Sequence, residues 1–388
     1  MYTDYDDLVA QTNSQIEANR KQRFRLRFFK KEGGIKIPLS SKSVRVVQKT
    51  SDMLFGVNLG GINRPGVNDY MEKVFNYGTI GTFWKWLEET EGNYDFTYHR
   101  AVAQWAIDRG MTLKGHPMLY NLEYLCPDWK FPPTAAQELD HIKRLLAGLG
   151  DLVKIWEVVN EPLHVPYTDA ISPHFWMKEL APEAQTVINE YGFGSTEFDS
   201  FYNILEAVQA NNIPFDVVGL QAHCHENGII PIHEIEEDLE MFSALDKDIH
   251  ITEITMFADD RPITNPTSDE FTHWTEEAQC KEMEKMYRVL FADPNVKAIT
   301  NWACCDGDPW RPITGLLRAD GSRRPSADML EDLICNEWNT EETLTTNSRG
   351  YCWFTGFDGT YDVYFEGKKV RTITVRDGWK NKKGIRIR

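Results

Sequence analysis

The chain has 388 residues, 41% of them hydrophobic and 26% charged, which is ordinary for a globular protein with a large core. Its net charge of −17 excludes nucleic acid and anionic membrane surfaces as favoured partners, because both bind clustered lysine and arginine. No apolar run approaches the length of a membrane span, so membrane insertion is not expected.

The first residues, MYTDYDDLVAQTNS, lack the basic-then-apolar pattern of a secretory signal. The location is therefore left open between an intracellular protein and a mature secreted or cell-surface protein without its signal, with the second favoured. The seven cysteines include no Cys-x-x-Cys pair, which argues against a structural zinc site, and we expect no metal or other cofactor. No long exposed heptad pattern demands a partner, so we expect a monomer.

The N-terminal region contains two kinds of pattern. Residues 1–22 read as a polar helix that leads into the rest of the chain. In residues 23–52, the segments RFRLRFF and SVRVVQ alternate apolar and charged residues, which predicts two half-exposed antiparallel strands.

A different pattern occupies residues 53–336, where short apolar runs alternate with longer helical stretches such as 98–110 and 276–293. Eight such runs separated by helices predict an α/β fold, specifically a (β/α)8 TIM barrel. The predicted strands are 55–59, 77–80, 112–116, 154–160, 186–191, 216–223, 250–254 and 298–303.

Strand-like alternation returns in residues 337–388, where turn signals separate three or four short runs. So few strands are marginally stable alone, so we expect residues 23–52 and 337–388 to form one small β-sandwich module. The alternative is two unrelated appendages. The module could bind polysaccharide through exposed aromatic side chains, for which the candidates are Tyr351, Trp353 and Trp379. Alternating aromatic residues in a strand more often belong to a core, so a structural role is favoured.

Reactive side chains of a parallel barrel cluster at the carboxyl ends of its strands. Two of the residues at the predicted ends are carboxylates, Glu161 and Glu253, and a facing pair suits glycoside hydrolysis, in which one carboxyl is protonated and the other ionised. Asn160 is placed to donate to a sugar 2-hydroxyl and His223 to orient Glu253. The other polar or aromatic residues at these ends are His116, Gln221 and Trp302.

The chain resembles glycoside hydrolase family 10 over about residues 54–335. WEVVNEP is similar to the family's WDVVNE and HITEI to its ITELD, which implies that Glu161 is the acid/base and Glu253 the nucleophile. GLQAH, RGMTLKGHPMLY, INEY, ITNWACCDGDPWRP and FNYGTIGTFWKW match further family motifs. The resemblance implies metal-free retaining cleavage of internal β-1,4-xylosidic bonds in xylan or a related plant polysaccharide. The substrate-binding residues it implies are Lys85, His116, Tyr120, Asn121, Tyr191, Gln221, Trp302 and Trp310.

The sequence departs from the family at three places. Gly81-Thr82 replaces a Glu-Asn pair and Tyr120-Asn121 replaces Trp-His, both around the subsites on the non-reducing side of the cleavage point. Thr255 replaces an aspartate that supports the histidine, so we expect His223 to be less firmly oriented, although Thr255 still offers a hydroxyl. Two alternatives remain at this stage: a retaining β-glycosidase for a β-glucan, a decorated xylan or a plant glycoside, and a non-catalytic carbohydrate-binding barrel.

Overall fold

A computed structural model describes residues 2–165, 169–224, 228–265, 271–307, 310–378 and 380–387. Internal contacts divide the chain into two compact units. One unit is Leu54–Met329, and the other combines Tyr2–Met53 with Leu330–Arg388. Within the described ranges, every helix is too short or too polar to cross a lipid bilayer.

The strands and helices are numbered in chain order. The strands are β1 (Lys21–Glu32), β2 (Ile35–Pro38), β3 (Ser43–Ser51), β4 (Leu54–Asn58), β5 (Tyr77–Gly81), β6 (Thr112–His116), β7 (Ile155–Asn160), β8 (Gln185–Tyr191), β9 (Val217–His223), β10 (Asp248–Thr255), β11 (Val296–Asn301), β12 (Glu341–Thr345), β13 (Tyr351–Phe357), β14 (Gly359–Phe365), β15 (Lys368–Val375) and β16 (Lys382–Arg386). The α-helices are α1 (Tyr5–Arg20), α2 (Val67–Val74), α3 (Trp84–Leu87), α4 (Thr97–Asp108), α5 (Ala135–Leu149), α6 (Ser172–Leu180), α7 (Thr196–Ala210), α8 (Ile232–Ser243), α9 (Glu276–Ala292) and α10 (Pro325–Asp332).

Strands β4 to β11 close into a parallel barrel in the order β10-β11-β4-β5-β6-β7-β8-β9. This confirms the predicted (β/α)8 fold, and each observed strand end lies within two residues of its prediction. The strands could be read from the sequence because both of their faces are covered, which produces short runs of apolar residues. Inside the barrel, one cluster of buried side chains draws a residue from each of five strands: Tyr77, Ile155, Val187, Val217 and Ala298.

The helices between the barrel strands begin at local sequence signals. Thr134 accepts the backbone N–H of Gln137, and the Gln137 side chain accepts the backbone N–H of Thr134, which is a capping box at the start of α5. Thr275 caps α9 by a single hydrogen bond, in which its side-chain oxygen accepts the backbone N–H of Ala278.

The second unit contains two four-stranded sheets built from both terminal segments. One has the order β13-β1-β16 with β2 paired to β1, and the other has the order β12-β3-β14-β15. Apolar residues of both sheets, from Phe24 on β1 to Ile385 on β16, share one buried core. The predicted β-sandwich built from the two ends of the chain is therefore confirmed.

The two predicted N-terminal strands do not pair with each other. Strand β1 pairs with β2, β13 and β16, whereas β3 lies in the other sheet between β12 and β14. Alternation identified both strands because each buries one face, but that pattern is the same whichever neighbour supplies the hydrogen bonds.

Candidate active site

The barrel brings the polar residues at the carboxyl ends of β6, β7, β9 and β10 to one mouth. Asn160 is the last residue of β7, and Glu161 follows it with a φ angle of 50°. A non-glycine residue in this left-handed region is strained, and such strain clusters at functional sites. The sharp change of backbone direction ends the strand at the carboxylate.

Glu253 is buried on β10, with 4% of its surface exposed. Its Oε1 accepts a hydrogen bond of 3.0 Å from the Asn189 amide, and its Oε2 lies 3.2 Å from Nε2 of His223. Burial by itself would raise the pKa of Glu253. The positive charge of His116 and the hydrogen bond from His223 outweigh burial and lower the pKa to about 2, so this carboxyl is ionised at neutral pH.

His223 keeps a second partner in this chain. Its Nδ1 lies 2.9 Å from the Thr255 hydroxyl oxygen, while Nε2 faces Glu253. The ring is therefore held at both nitrogens. The threonine hydroxyl therefore reaches the His223 ring, as expected, where the family motif has an aspartate.

Glu161 receives one hydrogen bond on each carboxylate oxygen. The Tyr120 hydroxyl donates to Oε2, and the Gln221 amide donates to Oε1 over 3.0 Å. Burial and the nearby Glu161 charge raise the pKa of the Tyr120 hydroxyl, which keeps it a neutral donor. A tryptophan, which the family motif has at this position, carries no hydroxyl.

A chain of amide groups connects the two carboxylates. The Asn160 side-chain oxygen accepts from the amides of Asn189, at 2.9 Å, and Gln221, at 3.3 Å. These same amides reach Glu253 and Glu161, respectively. The Asn189 oxygen in turn accepts a 2.6 Å hydrogen bond from the Thr252 hydroxyl. Sequence reasoning missed Asn189 and Thr252, although Asn189 stands within the INEY motif.

A row of buried charges lies beneath Glu253. Lys114 and Glu157 are both fully buried and form an ion pair of 2.9 Å. His116 Nδ1 lies 2.8 Å from the other Glu157 oxygen and 3.7 Å from Glu253 Oε1. Burial by itself would lower the pKa of His116, but the charges of Glu157 and Glu253 outweigh it and raise that pKa. Sequence reasoning missed Lys114 and Glu157; the available signal was a charged residue inside each of two buried strands.

Three of these groups also have the spacing of a metal site. The ligand atoms of His116, Glu157 and Glu253 lie within 4.8 Å of one another. The Lys114 ammonium already supplies positive charge to Glu157, and His116 with its raised pKa supplies it to Glu253. With His116 protonated, the cluster has two cations and two anions and is balanced in charge.

Two tryptophans stand beside the histidines of the mouth. The Trp302 ring packs edge-to-face against His116, with 5.0 Å between centroids. Trp310 packs in the same manner against His223 at 4.7 Å, and 52% of its surface is exposed. Both rings therefore offer the apolar surface on which a sugar stacks.

The structure does not bring two of the expected substrate-binding side chains into this network. Lys85 forms an ion pair of 2.6 Å with Asp128. Asn121 is 1% exposed, and its amide donates to the buried Glu138 over 2.6 Å. Both polar ends are therefore engaged with other protein groups.

Tyr191 lies near a separate cluster at the end of β8. Its ring stacks on His164 with 4.1 Å between centroids. His164 Nδ1 lies 2.9 Å from Glu190 Oε1, and Nε2 lies 3.3 Å from Glu197. Burial raises the pKa of Glu190 to about 7. Nothing in the sequence motifs pointed to His164, Glu190 and Glu197 as a cluster.

The family model described as glycosyl hydrolase family 10 matches residues 53–322. Endo-1,4-beta-xylanase B of Thermotoga neapolitana is 26% identical over 274 residues, which cover 64% of this chain and 76% of that protein. Anti-sigma-I factor RsgI6 of Acetivibrio thermocellus is 22% identical over 394 residues, which cover 95% of this chain and 49% of that protein.

Solved structures share the fold. Native xylanase 10B from Thermotoga maritima matches with a TM-score of 0.58 and 20% identity, covering 74% of this chain and 96% of that one. A family 10 structure from Paenibacillus barcinonensis matches with a TM-score of 0.59 and 20% identity, covering 73% of this chain and 95% of that one. These likenesses support the barrel assignment.

Proposed function

The chain belongs to glycosyl hydrolase family 10, and we propose that it cleaves internal β-1,4-xylosidic bonds of xylan or a related plant polysaccharide with retention of configuration. Relatives named endo-1,4-beta-xylanase support this substrate. Solved relatives in complex with xylotriose and xylopentaose support a sugar chain as the ligand.

The proposed mechanism is double displacement. Glu253 attacks the anomeric carbon and forms a glycosyl-enzyme intermediate, while Glu161 gives its proton to the leaving oxygen. Glu161 then removes a proton from water, and this water attacks the anomeric carbon and releases Glu253. Asn160 donates to the sugar 2-hydroxyl through its amide nitrogen, because its side-chain oxygen already accepts two hydrogen bonds.

The environment of Glu253 is the observation that carries this assignment. A nucleophilic carboxylate must be ionised and aimed, and Glu253 has a pKa lowered to about 2 and a hydrogen-bond partner on each oxygen. Glu161 lies at the other end of the same hydrogen-bond chain. Three amide side chains connect it to Glu253: Gln221, Asn160 and Asn189. The amide chain holds the two carboxylates relative to each other, and we expect a separation of about 5–5.5 Å, the value typical of retaining enzymes.

Substitution of each carboxylate tests the roles. Glu253→Gln should abolish release of reducing sugar from xylan, and Glu161→Gln should lower the rate about 10²–10⁴-fold, the usual contribution of a general acid. Glu179→Gln, the same change at an exposed residue of α6, serves as the control and should keep full activity.

Rescue by azide distinguishes the two roles on an aryl β-xyloside with a good leaving group. With Glu161→Gln, azide should attack the glycosyl-enzyme and yield the β-glycosyl azide. With Glu253→Ala, azide should attack the substrate directly and yield the α-glycosyl azide. The opposite pairing of products would reverse the assignment, and full activity of either variant would contradict the mechanism.

A second substrate class is favoured by one specific observation. Lys85 is engaged by Asp128 and Asn121 by Glu138, while Gly81 has no side chain where the family has a glutamate. Fewer polar groups are then free to bind the non-reducing side of the chain. We therefore propose a decorated xylan or a β-glucan as the alternative substrate, and product analysis on a panel of both polymers separates it from plain xylan.

A further inference from the structure

The outward face of the sheet β13-β1-β16 carries a regular set of side chains. Arg25 on β1 is paired in register with Trp353 on β13 and with Lys382 on β16. Arg27, two residues on, is paired with Tyr351 and Gly384. Paired residues point to the same side of a sheet, and the alternate positions on β1 belong to the buried core. These side chains therefore share one solvent-facing surface, which we call the basic face.

The basic face is positively charged in an acidic protein. Five of its cations are Arg23, Arg25, Arg27, Lys382 and Arg386. A sixth, Lys21, forms an ion pair with Glu17 on α1, and the other positions are aromatic, threonine or glycine. Among the described residues, no carboxylate forms an ion pair with any of these five cations. Neighbouring like charges destabilise a sheet, so folding alone gives no reason for this arrangement.

The aromatic residues of the basic face have different surroundings. The guanidinium carbons of Arg25 and Arg27 lie 5.4 and 5.1 Å from the Tyr351 ring centroid, which fixes the orientation of both arginines. Trp353 is 39% exposed and, with Arg23, Arg25 and Lys382, lines a shallow depression of the surface. A flat indole beside positioned guanidinium groups can stack on a sugar while arginine binds a carboxylate with two parallel hydrogen bonds.

We propose that the basic face binds an acidic polysaccharide, a sugar chain with carboxylate groups, at a site separate from the barrel mouth. The charge of the face favours anions, and the exposed Trp353 ring favours an anion that is carried on a sugar. The choice of a polysaccharide also rests on the proposed function, whereas the positive charge and the exposed indole do not. Uronic acid side groups on a xylan have this chemistry.

Binding by the full chain tests the proposal, in the Glu253→Gln background so that the polymer stays intact. Affinity electrophoresis compares glucuronoxylan with the same polymer after its carboxyl groups have been reduced to alcohols. Arg25→Gln and Trp353→Ala should each raise Kd for glucuronoxylan roughly tenfold, because truncation of arginine or tryptophan at the centre of a site has the largest effects. Arg371→Gln, at an exposed arginine of the other sheet, is the matched control and should leave Kd unchanged.

Three results would overturn the proposal: equal affinity for the intact and carboxyl-reduced polymers, an unchanged Kd for Trp353→Ala, or binding of DNA with the same affinity as glucuronoxylan. The third result would identify the face as a general polyanion site. Both substituted side chains are exposed, and unchanged thermal unfolding midpoints would exclude misfolding.

Hydrolysis of a short neutral xylo-oligosaccharide by the unsubstituted chain is assayed separately. If hydrolysis is absent but the substitutions of the basic face raise Kd, the proposed function is contradicted and the binding site is supported. Hydrolysis together with a Kd that the substitutions of the basic face leave unchanged supports the proposed function and contradicts the binding site.

Discussion

Glu157→Gln removes one charge from the buried row beneath the candidate active site and should affect both stability and pH dependence. Glu157 is fully buried between the Lys114 ammonium at 2.9 Å and His116 Nδ1 at 2.8 Å. The amide has nearly the same shape but no charge, so Lys114 is left as an unpaired buried cation. Breaking a buried ion pair in this way costs about 3–5 kcal/mol of unfolding free energy. The midpoint of thermal unfolding should fall by roughly 4–9 °C.

The same substitution should change the ionisation of Glu253. Without Glu157, His116 loses the first of the charges that oppose burial, so its pKa should fall, although the Glu253 charge remains. In the original protein, the His116 charge lies 3.7 Å from Glu253, and two charges at this distance interact by about 4 kcal/mol at an effective dielectric constant of 20. Because one pKa unit corresponds to about 1.4 kcal/mol, complete loss of this charge alone would raise the pKa of Glu253 by about three units. The removal of the Glu157 charge and the unpaired Lys114 act in the opposite direction, so we expect a smaller net rise.

The sign of the pH effect follows from the role proposed for Glu253. A nucleophile is active when ionised, so the acid limb of kcat/KM should move to higher pH in Glu157→Gln. The assay is the pH profile of kcat/KM on a xylo-oligosaccharide, together with calorimetric unfolding.

The double substitution Lys114→Met/Glu157→Gln is the control for stability. It removes both charges of the pair and should regain part of the lost stability, because no unpaired charge remains. An unfolding midpoint equal to that of Glu157→Gln would refute the ion-pair reasoning. An unmoved acid limb would refute the coupling through His116.

Two further predictions concern the neighbours of these groups. Tyr120→Phe removes the hydroxyl that donates to Glu161. Because hydrogen bonds to charged groups contribute about 1.5–3 kcal/mol, initial rates should show kcat at least about tenfold lower with little change in KM. A changed KM with an unchanged kcat would assign Tyr120 to substrate binding alone. Glu190 has a pKa raised by burial from 4.5 to about 7, so the folded state binds more protons than the unfolded state in that interval and loses stability as pH rises through it. Glu190→Gln should flatten this loss in denaturant titrations between pH 4.5 and 7, and a slope equal to that of the original protein would contradict the assignment.

The barrel was predictable because burial on both faces of a strand leaves a direct pattern in the sequence. The eight apolar runs gave the strands, and their ends gave Glu161 and Glu253. Strand pairing in the second unit was not predictable, because alternation records which face is buried and contains no information about the neighbouring strand. The pattern therefore predicted β1 and β3 as strands of one module, but not that they lie in different sheets.

The groups that support the candidate site were harder to predict from the sequence than the two carboxylates. Asn189 and Thr252 lie inside buried strands, where a polar residue is satisfied by groups far away in the chain, here 63 residues apart. Tyr120 and Asn121 are adjacent, yet one contacts Glu161 and the other Glu138. Only the three-dimensional structure shows to which side of the local backbone each side chain turns.

The replacement of a carboxylate by Thr255 helps to explain how charge is distributed around Glu253. A hydroxyl orients the His223 ring through Nδ1 without adding a negative charge beside Glu253. The counter-charge of Glu253 is then supplied from the opposite side by His116, which Glu157 and Lys114 hold in the buried row. His116 thus supplies the largest compensating charge, and His223 adds a hydrogen bond and a smaller charge contribution. Perturbing His116 should therefore affect the ionisation of Glu253, and perturbing Thr255 should affect the orientation of His223.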